Sequence, residues 1–234
     1  MTVEIHPLLG IPEVSAGDNL AALLVEALRR SGLEPRPGDV LVVTHKVVSK
    51  AEGSVVKIAH GDEAAYRRLV EDEAERVLRR RQDLVITKTR HGFICASAGV
   101  DRSNVGRAGA VLMPRDPDRS AHRLRLQIGE ATGVDVAVLI TDTFGRAWRR
   151  GVCDVAIGLS GFTPILDLRG TPDADGRPLE VTEVAIADEI AAAAELVMGK
   201  ANRIPACLVR GVNLPGGKGG ATDLVRPTEE DLFR

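Results

Sequence analysis

Aromatic residues are scarce in this chain: one Trp, one Tyr and four Phe among 234 residues. So few rings cannot form a stacking platform for single-stranded nucleic acid. An excess of one charge is missing too. The formal net charge is -2, which excludes the basic footprint of a general nucleic-acid binder. The N-terminus, MTVEIHPLLG, has no basic region running into an apolar core, so no secretory signal is read there. No apolar run approaches the roughly 18 residues that argue for a membrane span. Cysteine is limited to Cys95, Cys153 and Cys207. They are odd in number, far apart and at no zinc or disulfide spacing. They read as small buried apolar residues of a cytoplasmic protein. The histidines form no H-x-x-x-H metal pair, and there is no internal repeat and no proline- or serine-rich linker. What the chain does have is 44% hydrophobic residues, enough for a sizeable core. It reads as one unit over residues 1–234 with no internal boundary.

The periodicities predict the elements. Val3 to His6 reads as a short strand. Asp18-Asn19 offers an N-cap to the amphipathic helix LAALLVEALRRSG, which stops at Gly32. In GDVLVVTHKVVSKAEG the first half is a continuous β-branched run, the mark of a buried strand. Residues 62–82 read as a long arginine-rich helix. LVITKT and FICASA read as a hairpin around RHG, and GAVLMP as a further strand. DPDRSAHRLRLQIGEATG reads as a helix feeding the strand DVAVLITD, with VCDVAIGLSG strand-like after it. TEVAIADEIAAAAELVMG is an alanine-rich helix closed by Gly199, and IPACLVRG is a last buried strand. Thr228 through Asp231 resembles a capping box on a short terminal helix. Strands and helices mix without strict alternation, which predicts an α+β fold of mixed or antiparallel sheets with packed helices.

Four stretches share one pattern, an apolar strand with polar groups collected at its tip, where rigid scaffolds present chemistry. They are VVTHKVVSKAEG, SAGVDRSNVG, ITDTFGRAWRRG and VRGVNLPGGKGG. The last carries Arg210, Asn213 and a glycine cluster. Asp101 beside Ser103 and Asn104, and Asp142 between two threonines, offer hard oxygen donors suited to Mg²⁺ or Mn²⁺. The competing reading is an Asx-turn for Asp101 and a turn cap for Asp142. Arg146, Arg149 and Arg150 lie between Gly145 and Gly151. A short loop carrying three guanidiniums suits bidentate binding of phosphate or carboxylate, though solvated surface arginines fit the same spacing. Lys46 and Lys50 share a face whether helical or extended. GGKGG is not a phosphate loop, because Gly219 follows Lys218; it reads as a flexible loop. Metal-binding acids beside phosphate-binding bases are the apparatus of phosphoryl transfer.

In this order, GDVLVVTHKVVSKAEG, SAGVDRSNVG, LITDTFGRAWRRGVCDVAIGLSG, DGRPLEVTEVAIADEIAAAAELVMG and IPACLVRG resemble the coenzyme F420-0:L-glutamate ligase family, from about residue 3 to residue 230. The resemblance implies an unusual α+β ligase fold and an entwined homodimer. It implies a GTP-dependent ligase forming carbon–nitrogen bonds. GTP phosphorylates the phospholactyl carboxylate of coenzyme F420-0, and the amine of L-glutamate attacks the acyl phosphate. Further glutamates then add through γ-linkages. Two divalent ions, Mg²⁺ or Mn²⁺, are implied, with K⁺ as a further candidate. Carried over residue by residue, Asp101 and Asp142 resemble ligands of the first metal and Thr143 a ligand of the second. Ile11, Pro12, Glu13 and Val14, then His45, Lys46 and Lys50, then Asn104, and then Gly199 and Lys200 match nucleotide-contacting positions. Asp142, Arg149 and Arg150 are the candidates for the reacting centre. One position departs from the pattern. Some archaeal relatives carry an acid or amide after Met-Gly, where it helps hold the second metal; here that residue is Lys200. A protonated lysine ligates no metal, so either the second site is weakened or Lys200 binds phosphate directly. Two other functions remain compatible with the residues: another metal-dependent phosphotransferase or nucleotide hydrolase, and a non-catalytic nucleotide-binding module.

Overall fold

In the computed structural model, which describes residues 2–103 and 109–232, the elements follow in chain order. They are β1 (Glu4–Pro7), α1 (Leu20–Arg30), β2 (Val40–Thr44), α2 (His45–Ala51), β3 (Val55–Val56), α3 (Glu63–Glu73), β4 (Ala74–Arg81), β5 (Leu84–Thr89) and β6 (Ile94–Ala96). Next come β7 (Ala110–Val111), α4 (Pro117–Thr132), β8 (Ala137–Gly145), β9 (Val152–Ser160), β10 (Leu166–Asp167), β11 (Glu183–Val184), α5 (Ile186–Met198) and β12 (Ala206–Arg210). Single 3₁₀ turns occupy Ser97–Gly99, Ala221–Leu224 and Thr228–Glu230.

The apolar runs make the frame. Among the described residues, β1, β12, β2, β8 and β9 form a five-stranded sheet in that order. Only β2 and β8 run parallel; the other pairs are antiparallel. Val40 through Val43 and Val138 through Ile140 are fully buried. Each such side chain contributes about 1.5–3 kcal/mol of burial. Helices α4 and α5 both pack on β9, and α1 packs on α4. The helix ends obey their local signals. Asn19 caps α1 by accepting from the amide of Ala22 at 3.1 Å. Asp116 caps α4, and Gly133 closes it in the left-handed conformation. At Gly158 a side chain is impossible, because a Cβ would lie 2.5 Å from Pro117 of α4. The α+β expectation holds, with mixed and antiparallel sheets.

A smaller core of Ile58, Val70, Ala98, Val100 and Ala110 lies under α3 and the β3–β7 pair. The sequence reading fails in this region. Residues 62–82 are not one helix: Asp62 caps α3, which ends at Glu73, and Ala74–Arg81 becomes β4. The reason is tertiary. The β5–β6 hairpin leaves one edge of β5 open, and β4 pairs with it antiparallel. Ion pairs Lys88–Glu75 at 2.8 Å and Arg80–Glu71 at 2.5 Å tie that strand to its neighbours. Local helix propensity loses to an available ladder. The capping box at Thr228 is also absent. Pro227 precedes the 3₁₀ turn, and Thr228 lies inside it without a side-chain cap. Cys95 and Cys207 are buried, and Cys153 is half-buried.

Candidate functional site

Parallel pairing of β2 with β8 builds the site. Its register sets Thr44 opposite Thr141, so the next residues, His45 and Asp142, leave the same end of the sheet side by side. His45 opens α2 and is only 1% exposed. Its Nε2 lies 3.2 Å from Asp142 Oδ1 without the alignment of a hydrogen bond, and among the described residues it has no other partner. Its Nδ1 faces Ser49 Oγ at 3.4 Å. Asp142 Oδ1 accepts from the amide of Thr143 at 2.7 Å. The imidazole therefore sits behind the carboxylate, buried away from the surface.

Lys46, the next residue of α2, reaches the other carboxylate. Its Nζ lies 2.7 Å from Asp101 Oδ2 and donates to Ser103 Oγ at 2.6 Å. Asp101 Oδ1 accepts from the amide of Ser103 at 2.5 Å, the Asx-turn that the loop composition predicts. Burial alone pushes the Asp101 carboxyl up. The hydrogen bonds and charge of Lys46 and Ser103 outweigh it, and the group ends below its ordinary value. A double backbone bridge to Val111 anchors Asp101. The turn before it is held from beneath, because buried Thr87 Oγ1 accepts from the amide of Ala98 at 2.9 Å. Ser97 and Ala98 adopt left-handed φ of 52° and 54°. Two carboxylates thus meet consecutive residues of one short helix.

Lys50 turns elsewhere. Its Nζ lies 2.5 Å from Glu13 Oε1, so among the described residues Lys46 and Lys50 pair with different carboxylates. That bond fastens the Ile11–Val14 turn to α2: Val14 is buried, Ile11 half-buried, Pro12 and Glu13 exposed. Asn104 lies outside the described residues.

The side chain after Asp142 points the other way, as strand alternation requires. Thr143 Oγ1 donates to Asp154 Oδ1 at 2.6 Å, and Thr141 Oγ1 donates to Asp154 Oδ2 at 3.3 Å. Asp154 is 2% exposed. Lys200 donates to Asp154 Oδ1 at 2.7 Å and to the Thr143 hydroxyl. Sequence reasoning missed Asp154. Its signal was present: an acid in the otherwise apolar run VCDVAIGLS, where a buried charge demands a partner.

The arginine loop is the tip of the β8–β9 hairpin. Arg146 Nη2 donates to the carbonyl of Arg150 at 3.0 Å, which folds the loop on itself. Arg149 and Arg150 are exposed and form no ion pair among the described residues. The fourth tip does not join the site. β12 is antiparallel to β2, so Arg210 lies at the opposite end of the sheet. There it clamps buried Asp39 through Nε at 2.8 Å and Nη2 at 2.7 Å. The glycine cluster is tethered as well: Asp118 accepts from the amide of Ala221 at 3.1 Å, and the Thr163 amide donates to Pro215.

Hard cations suit the first pair of acids. The donors are carboxylate oxygens, and the buried Nε2 of His45 is left without a hydrogen bond beside one of them. Among the described residues no three His, Cys, Asp or Glu gather as a metal cluster. A metal held by Asp101 and Asp142 would need water or substrate oxygens for the rest of its shell, as Mg²⁺ commonly does. A second ion on Thr143 would have to displace Lys200, whose ammonium donates to that hydroxyl and to Asp154. A cavity of about 270 Å³, lined in part by Phe93, Phe144, Val155 and Asp188, borders the Asp142 side of the hairpin. The larger one, about 560 Å³, lies beyond the other end of α2, against Glu52 and Arg123. Burial, then the Asp142 charge, push the Cys95 thiol up to about 12, so it stays protonated and inert beside the site.

Comparison with known proteins follows the same residues. The family model described as F420-0:Gamma-glutamyl ligase matches residues 9–211. Coenzyme F420:L-glutamate ligase of Methanothermobacter thermautotrophicus is 41% identical, with 96% of each chain covered. The protein of the same name from Archaeoglobus fulgidus is 42% identical, over 100% of this chain and 97% of its own. That from Methanocaldococcus jannaschii is 42% identical, over 84% of this chain and 85% of its own. Among the described residues no helix is long and apolar enough to cross a membrane.

Proposed function

This chain belongs to the F420-0:gamma-glutamyl ligase family, and on that premise we propose that it is an amide-forming ligase joining L-glutamate to the terminal carboxylate of coenzyme F420-0. The observation that carries the reading is the shared β2–β8 tip, where His45 lies against Asp142 and Lys46 pairs with Asp101. GTP is the proposed phosphoryl donor. An oxygen of the acceptor carboxylate attacks the terminal phosphorus, and the bond to GDP breaks. The glutamate nitrogen then attacks the acyl carbon, phosphate leaves, and the ammonium proton passes to solvent. Repetition on the new γ-carboxylate lengthens the chain.

Each protein group has a task in this scheme. Asp101 and Asp142 hold Mg²⁺ or Mn²⁺, which when bound offsets the phosphate charge and polarises the phosphoryl oxygens. Buried His45 backs the Asp142 carboxylate, and Lys46 keeps Asp101 in place. The Ile11–Val14 turn, Lys50, Asn104 and the Gly199 turn line the nucleotide. Arg149 and Arg150, exposed on their hairpin, receive the carboxylates and phosphates of the substrates in bidentate fashion. The aromatic-edged cavity beside Phe144 takes part of the acceptor. Exposed Trp148 and Val152 at the hairpin tip give a homodimer apolar contact.

Heavy oxygen placed in the acceptor carboxylate tests the acyl phosphate. The scheme transfers one labelled oxygen to the inorganic phosphate for each amide formed. Label retained wholly in the coenzyme, with amide still forming, rules it out.

A further inference from the structure

We propose that the Lys200 ammonium is a built-in cation standing in place of a second divalent ion, so that each protomer uses a single divalent metal. Four observations converge. Asp154 is a carboxylate buried in an apolar strand, 2% exposed, and a buried charge persists only when paired and hydrogen-bonded. Lys200 is the group that pairs with it, at 2.7 Å, with Glu195 3.5 Å away on its other side. Thr143 is engaged on both sides, its proton given to Asp154 and one of its two lone pairs taken by Lys200. The backbone is shaped to deliver this lysine. Gly199 has φ of 59°, and a Cβ there would lie 2.5 Å from Asn202 Nδ2.

Sterics and charge oppose a second ion here more than at Asp101, whose side chain is 31% exposed against 3% for Asp154. A divalent ion of the Mg²⁺ type needs oxygens at about 2.0–2.2 Å. Seated between Thr143 and Asp154, it would displace the ammonium or stand against it as a like charge. Turning Lys200 outward to bind phosphate instead would leave Asp154 buried and unpaired. The ammonium therefore stays on Asp154 and Thr143 and lends the site one fixed positive charge, where a metal would bring two.

The inference rests on the metal-using ligase reading, and its test is independent of turnover. Mn²⁺ bound per protomer is measured by equilibrium dialysis with electron paramagnetic resonance, on the native protein, Lys200→Glu and Lys200→Gln. Lys200→Glu is expected to bind one Mn²⁺ more than the native protein, with spin-coupled lines where the native spectrum shows isolated ions. Lys200→Gln, which adds no charge, gains the same ion at weaker affinity and covers the case in which Lys200→Glu fails to fold. Coupled lines in the native protein, or no gain in either variant, overturn the proposal. Glutamyl transfer is assayed alongside. Its absence in the native protein sinks the ligase reading, while the Mn²⁺ increment still reports on Lys200.

Discussion

At the scale of single residues, the site depends on carboxylates with close charged or polar neighbours. At Asp101 those neighbours change the titration. Burial raises its carboxyl, but Lys46 and Ser103 bring it below the ordinary 3.8. A folded value below the unfolded one adds stability that is full above 3.8 and is lost as pH falls through the folded value. In metal-free buffer, the Tm gap between the native protein and Asp101→Asn should be constant at neutral pH and close under stronger acid. A gap that widens on acidification contradicts the assignment. Much at this scale was legible in the sequence. Asp142, His45 and Lys46 each follow an apolar run, and a strand tip needs no partner to be recognised. Asp154 was legible only as an acid in an apolar run; its partner was not, because that cation lies 46 positions away.

Elements carry those residues into register. The 3₁₀ turn at Ser97–Gly99 sets where Asp101 points, and it hangs on one buried hydroxyl. Thr87 Oγ1 accepts from the Ala98 amide and donates to the Cys95 carbonyl at 3.2 Å. Thr87→Val keeps the shape and strands that amide, a cost of about 1–3 kcal/mol. Urea titration should show a lower midpoint with an unchanged slope; an unmoved midpoint removes the turn's dependence on Thr87. The element scale also shows why residues 62–82 mislead. Their composition favours helix throughout, and only the open edge of β5, supplied by a later segment, converts Ala74–Arg81 into a strand. Helices with their own caps, α1 and α4, needed no such outside information.

For the whole molecule, the sheet has two ends with different work. One carries the candidate site; the other is closed by Arg210, which grips Asp39 bidentately and donates to the Glu34 carbonyl at 2.8 Å. Hydrogen bonding to Asp39 raises the Arg210 guanidinium further above its ordinary value. Arg210→Met leaves Asp39 buried and unpaired, which costs about 3–5 kcal/mol. Calorimetry should record that loss while Mn²⁺ affinity stays as in the native protein. A variant of native stability, or one with altered metal binding, refutes the division of labour. Strand order could not be read from one sequence, because the β2–β8 pairing joins segments about a hundred positions apart. The central claim is a ligase built on that pairing. Its direct test is to incubate the protein with coenzyme F420-0, L-glutamate, GTP and Mn²⁺ and weigh the product by mass spectrometry, beside Asp142→Ala. The account predicts a gain of one or more glutamyl units for the native protein and none for Asp142→Ala. GTP consumed by the native protein with no mass gained would contradict it.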